Sequence, residues 1–148
     1  MTEPAKVDRI LAHATRAPSS HNTQPWLFRT DETGIDLLAD RTRALPVNDP
    51  HDRELAISCG CALMTLRIAA AAEGLGNDAT LQPDPDDPDL LARVDLDGHP
   101  DTDLATLASV IDLRQTHRAR FDDRSVYPDH AAALKGAART EGARLLPL

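Results

Sequence analysis

The run from Leu55 to Ala72 constrains this fold more than any other stretch of the chain. It is apolar almost throughout, interrupted by Arg67 and containing Ser58 and Gly60. A helix that is apolar nearly all round has to be buried on several sides. With a charge inside it, the run reads as the core helix of a globular domain rather than a membrane span. Gly60 and the alanines leave room for another helix to approach closely. Asn48 or Asp49 is expected to cap the helix, with Pro50 in its first turn. Gly74 and Gly76 are expected to stop it.

Something must cover that helix, and 148 residues suffice for one domain with a sizeable core. Aromatic residues make up only 3% of the chain, so the core is built from Leu, Ala, Val and Ile. Val7, Ile10, Leu11 and Ala14 recur at helical spacing, which predicts an amphipathic helix over about 5–16, ended before Pro18. Residues 26–30 and 35–39 read as two strands of a hairpin around the turn Asp31-Glu32-Thr33-Gly34. Residues 80–82 and 90–96 read as further strands, the second with Leu90, Ala92, Val94 and Leu96 on one face. Leu104, Leu107, Ala108 and Ile111 predict another helix, capped by Asp101 or Asp103. A last helix is expected from Asp129 or Pro128 to about Arg139, then a strand beginning at 143–146.

The net charge of −8 excludes nucleic acid and anionic membrane as partners, because both need a basic face. A single bound phosphate needs only a few local cations and stays open. The acidic stretch Pro83–Asp89 is interrupted by prolines and lacks ligand spacing, so it reads as a solvated loop, and no metal site is expected. Cys59 and Cys61 form no Cys-x-x-Cys pair and read as small buried hydrophobes. The first residues carry no apolar signal core, which points to a cytoplasmic protein.

Two segments carry chemistry. Ala17-Pro18-Ser19-Ser20-His21-Asn22-Thr23-Gln24-Pro25-Trp26 packs hydroxyls, an imidazole, two amides and the only Trp into one loop. Binding residues sit disproportionately on loops held by a rigid scaffold. Ser and Asn can each donate and accept hydrogen bonds, which suits the edge of a heteroaromatic ring. Trp26 reads as a core anchor, and His21 as a surface residue with no assigned role. The second segment is Arg114-Gln115-Thr116-His117-Arg118. If it is extended, Arg114, Thr116 and Arg118 share one side and converge on a dianion, for which the arginine fork is well suited.

The Pro-Ser-Ser-x-Asn-x-Gln-Pro-Trp string resembles the flavin-contacting loop of the FMN-dependent nitroreductases. Arg114-x-Thr116-x-Arg118 resembles the Arg-x-Ser-x-Arg motif that grips the FMN phosphate in that family, with Thr keeping the hydroxyl. Residues 39–46, Asp49-Pro50 and 53–63 extend the likeness toward the Acg-like branch, in which one chain fuses two nitroreductase-like halves. The resemblance implies an α+β, nitroreductase-like fold with a central antiparallel or mixed sheet around a long buried helix and an incomplete second half. Residues 1–112 would be the first half, and 113–148 the start of a shortened second half carrying the phosphate motif.

The same resemblance implies an FMN-binding oxidoreductase that takes electrons from NAD(P)H and reduces nitroaromatics or quinones. The cofactor contacts would be Ser19, Ser20, His21, Asn22, Arg114, Thr116 and Arg118. The flavin would do the redox chemistry, so no side chain is assigned as a catalytic acid or base. A homodimer is expected, because the long helix would otherwise leave an apolar face uncovered. The alternatives are a flavin-sequestering protein without turnover and an inactive fragment.

Overall fold

Four antiparallel strands and three helices build the larger part of this chain, in a computed structural model that describes residues 3–146. The chain divides after Thr116 into two compact units. The first unit holds α1 (Pro4–Ala14), β1 (Trp26–Thr30), β2 (Gly34–Ala39), α2 (Arg53–Ala72), β3 (Asp78–Leu81), β4 (Leu90–Asp95) and α3 (Thr102–Ala105). The fold class is α+β, as the sequence implies.

The sheet runs in the order β1-β2-β4-β3. Its centre is held by the register Ile35↔Val94 and Leu37↔Ala92, and β1 joins through Phe28↔Leu37. The hairpin turn is tied by Asp31, whose carboxylate accepts from the backbone N–H of Thr33 and of Gly34, each at 2.9 Å. Such a local acceptor is what favours Asp in turns. Gly34 is required for space, since a Cβ there would lie 2.7 Å from the Val94 carbonyl oxygen.

Alternation along β2 and β4 turns one sheet face inward. Ile35 and Val94 join Ile10 and Ala14 of α1 with Leu66, Ala69 and Ala70 of α2 in one buried cluster. Leu37, Ala39 and Ala92 join Trp26, Leu55, Cys59 and Ala62 in a second. The outer face carries charge instead. Arg29, Asp36 and Arg93 lie side by side on three neighbouring strands.

α2 is a core helix, but not on every side. Nine of its residues are buried. Ile57 is 52% exposed, and a Cβ added at Gly60 would meet nothing within 4 Å. The flank expected to be covered is therefore open. The start of the helix also differs from expectation. Pro50 lies outside it, and Asp52 at its N-cap is left-handed with no side-chain capping bond. The buried Asp49 caps from further back, its Oδ2 accepting from the Leu55 N–H at 2.9 Å. The helix expected through Ile111 is divided into the four-residue α3 and a 3-10 turn over Thr106–Val110. Asp101 caps α3 as expected, accepting from the N–H groups of Asp103 and Leu104.

The second unit contains α4 (Pro128–Thr140), opened by Pro128 and followed by Gly142 at φ 70°. Glycine adopts that left-handed conformation without penalty. None of the unit's described residues is buried. Residues 143–146 form no strand, contrary to expectation, because no neighbouring strand pairs with them.

Candidate functional site

The loop between α1 and β1 is held from below by α2. Trp26 is buried in the core, and the Cys59 thiol donates to the Pro25 carbonyl at 3.2 Å. The backbone N–H of Ser20 donates to Ser58 Oγ at 3.1 Å, and the Ser20 hydroxyl donates to the Glu54 carboxylate. Ser58 is itself buried and donates to the Glu54 carbonyl one turn back. The first turns of α2 therefore grip Ser20 by both its backbone and its side chain.

Beyond Ser20 the chain is strained. His21, Asn22 and Gln24 have φ of 51°, 57° and 51°. A non-glycine residue in that region costs about 1–3 kcal/mol and persists only where its surroundings enforce it. The enforcing contacts are visible. Gln24 N–H donates to Ser19 Oγ at 2.9 Å, Thr23 Oγ donates to the Ser20 carbonyl at 2.9 Å, and Arg43 donates to the Thr23 carbonyl at 3.1 Å. Clustering of such residues in a polar loop marks a candidate site.

Between this loop and α2 lies a cleft of about 420 Å³, lined by Pro18, Ser19, Ser20, Arg53, Glu54, Ile57, Ser58 and Cys61. A second cleft of about 280 Å³ shares Pro18 and Cys61 and continues past Met64, Ile68, Val110 and Ile111 to Arg16 and Arg114. The two adjoin in one groove whose first part is polar and charged and whose second part is almost wholly apolar, with Arg16 and Arg114 among its lining. Arg114 reaches toward the Thr116 hydroxyl at 3.5 Å and the Arg16 carbonyl at 3.4 Å. Arg16 pairs with Asp112 at 3.0 Å.

Burial pushes the Cys59 thiol up to about 11, and it raises Cys61 as well, with nearby Arg114 opposing the shift. Both thiols are held in the protonated form, which suits packing rather than nucleophilic chemistry. Cys61 is only half-buried, so it is a groove-lining residue rather than a core one. Among the described residues, no group of three His, Cys, Asp or Glu side chains is placed to hold a metal ion.

The structure brings Ser19, Ser20 and Arg114 to one groove and sets Thr116 beside Arg114. His21 and Asn22 are exposed and line neither cleft, and the His21 ring lies 3.4 Å from the Asn48 amide. The segment 114–118 carries no strand, and Arg118 falls in the second unit, where it is exposed. Sequence reading assigned no role to Arg53, Glu54 or Cys61, although 53–63 was part of the family likeness. A charged pair opening an apolar helix was the available signal.

No family model matches the chain. Individual relatives do. Rv3131 of Mycobacterium tuberculosis, provisionally named an NAD(P)H nitroreductase, is 36% identical over 141 residues, 95% of this chain and 41% of its own. The protein acg of the same organism, provisionally named likewise, is 36% identical over 115 residues, 73% of this chain and 33% of its own. Rv3127, also from that organism and uncharacterised, is 35% identical over 138 residues, 89% of this chain and 40% of its own. The α+β fold, the loop clamped on α2 and these likenesses agree. Over most of its length the chain is similar to proteins named as nitroreductases, acg among them. It spans about two fifths of the length of the relatives it matches, 41% for Rv3131.

Proposed function

We propose that the groove holds FMN and that the chain serves an NAD(P)H-dependent oxidoreductase of nitroreductase type, acting on nitroaromatics or quinones. One observation carries this reading. Two loop hydroxyls line one cleft, and Arg114, with Thr116 beside it, lies along the adjoining apolar one. A flavin mononucleotide has the matching parts: a polar ring edge, a flat apolar body and a phosphate. Arg53 and Glu54 both line the serine end and offset each other's charge, so the phosphate placement rests on Arg114 with its neighbour Thr116 and on the likeness of 114–118 to the family's phosphate motif. Arg114 and Thr116 would hold the phosphate.

When bound, FMN supplies hydride acceptance from the nicotinamide and delivery of electrons to the second substrate. This chain's own residues bind, orient and exclude water. No acid or base is assigned to them. In this reading the protein is cytoplasmic and works as a homodimer, which would cover the open flank of α2.

The test is a titration with FMN and with riboflavin, followed by visible absorbance, and then NAD(P)H consumption with a quinone. Tighter binding of FMN than riboflavin together with quinone-dependent NAD(P)H oxidation is expected. Equal affinity for the two flavins removes the phosphate assignment. Binding without oxidation makes the protein a flavin carrier, and no binding of either flavin removes the reading.

A further inference from the structure

We propose that Glu54 is a positioning residue for the loop: it orients the Ser20 hydroxyl as a hydrogen-bond acceptor toward the cleft and holds the turn through Gln24 in its left-handed form. The ligand part of this inference rests on the flavin reading above. The loop part is a property of the chain without ligand.

A serine hydroxyl has one proton. At Ser20 that proton goes to the Glu54 carboxylate, which when ionised can only accept. The lone pairs of Ser20 Oγ are then what remains for the cleft that both residues line. Ser19 has the opposite polarity. Its Oγ accepts from the Gln24 N–H at 2.9 Å, so its proton is left to donate. Adjacent hydroxyls therefore present a donor beside an acceptor. The complement is a lactam edge, a carbonyl next to an N–H, and the pyrimidine part of a flavin has that edge.

The same carboxylate carries the conformational argument. His21, Asn22 and Gln24 are all left-handed, and none is glycine. The turn starts at Ser20, whose carbonyl accepts from Thr23 N–H at 3.0 Å and from Thr23 Oγ at 2.9 Å. Ser20 is in turn fastened to α2 by Glu54 and Ser58. Releasing the Glu54 end frees the hydroxyl and leaves the strained turn with one anchor fewer.

The experiment compares wild type, Glu54→Gln, Glu54→Ala, Ser20→Ala and the Ser20→Ala/Glu54→Ala double variant. Gln loses the charge but keeps an oxygen that can accept, which separates loop positioning from any charge effect at the start of α2. In the unliganded protein, amide exchange over residues 20–24 should speed up by about tenfold in Glu54→Ala, as loss of the side-chain hydrogen bond implies. It should stay near wild type in Glu54→Gln, and Glu54→Ala should add nothing in the Ser20→Ala background. In the second arm, wild type should prefer FMN to N3-methyl FMN by about tenfold, and Glu54→Ala should lose most of that preference. Unchanged exchange in Glu54→Ala, or equal effects of Gln and Ala, overturns the inference. If neither flavin binds wild type, the flavin reading falls, and the exchange arm still decides the role of Glu54.

Discussion

Asp36 on β2 and Arg93 on β4 face each other across the sheet, with Arg93 Nη1 2.9 Å from Asp36 Oδ1. Arg29 on β1 takes the other carboxylate oxygen at 2.8 Å. One carboxylate, only 10% exposed, thus links three strands on the outer face of the sheet. Without Asp36, Arg93 keeps Asp31 and Asp95 as partners and Arg29 is open to water, so what is lost is the set of charge-assisted bonds that join the three strands. Asp36→Ala should therefore destabilise the protein by about 1–2 kcal/mol, because two hydrogen-bonded pairs go but Arg93 keeps other carboxylate partners. Arg29, 59% exposed, should cost under about 1 kcal/mol when replaced by Ala. Urea melts that give equal losses for the two variants contradict this ranking.

Acid should weaken the fold in a defined window. Arg93, with the Thr33 N–H, holds the Asp31 carboxyl well below the usual carboxylate range, and Arg9 lowers Glu73. The unfolded chain takes up these protons first, near the ordinary values of 3.8 and 4.5. Their contribution is complete above those values and is lost as pH falls toward the lower folded ones. Urea midpoints should stay flat from neutral pH to about 5 and fall below that. Asp31→Asn should lower the neutral-pH midpoint and make the acid limb shallower. An unchanged acid limb in that variant argues against the assignment.

Phosphate recognition should dominate FMN affinity. Hydrogen bonds to a charged group are worth about 1.5–3 kcal/mol each and those to a neutral ring edge about 0.5–1.5 kcal/mol. Arg114→Ala should weaken FMN by about tenfold or more while leaving riboflavin affinity unchanged. Asn22→Ala should cost less, and Thr116→Ser should be nearly silent. A riboflavin affinity that falls as far as FMN affinity in Arg114→Ala would place that arginine elsewhere on the ligand.

The two cysteines should differ in reactivity. Cys59 is 1% exposed with its thiol pushed up to about 11, whereas Cys61 is half-buried and lines both clefts. Alkylation at pH 8 followed by mass spectrometry should modify Cys61 first, and FMN should slow that labelling. Faster labelling of Cys59, or no protection by FMN, counts against the groove as the flavin site.

Self-association should depend on the open flank of α2. Ile57 is 52% exposed there, and Gly60 leaves space beside it. A two-fold contact through this flank would bury it. Light scattering should report a dimer for wild type and a monomer for Ile57→Asp. A wild-type monomer at micromolar concentration would sink this prediction.

Much of this molecule was legible before folding, because the signals were local. Alternation at Leu90, Ala92 and Val94, helical spacing at Val7, Ile10 and Ala14, and Asp101 as a cap each act within a few residues. These patterns determined the α+β class, the hairpin and the core helix. Composition determined that the core would be aliphatic. What the sequence left open was non-local. Pro50 falls outside α2 because the buried Asp49 carboxylate caps that helix from six residues before Leu55. The serines of the loop acquire opposite hydrogen-bonding polarity only when Glu54, 34 positions away, takes the Ser20 proton. Cys61 becomes a groove residue rather than a core one because the helix is packed on one side and open on the other. Local pattern decides which element a segment becomes. Only tertiary packing decides which polar atoms are spent on each other and which are left facing the groove.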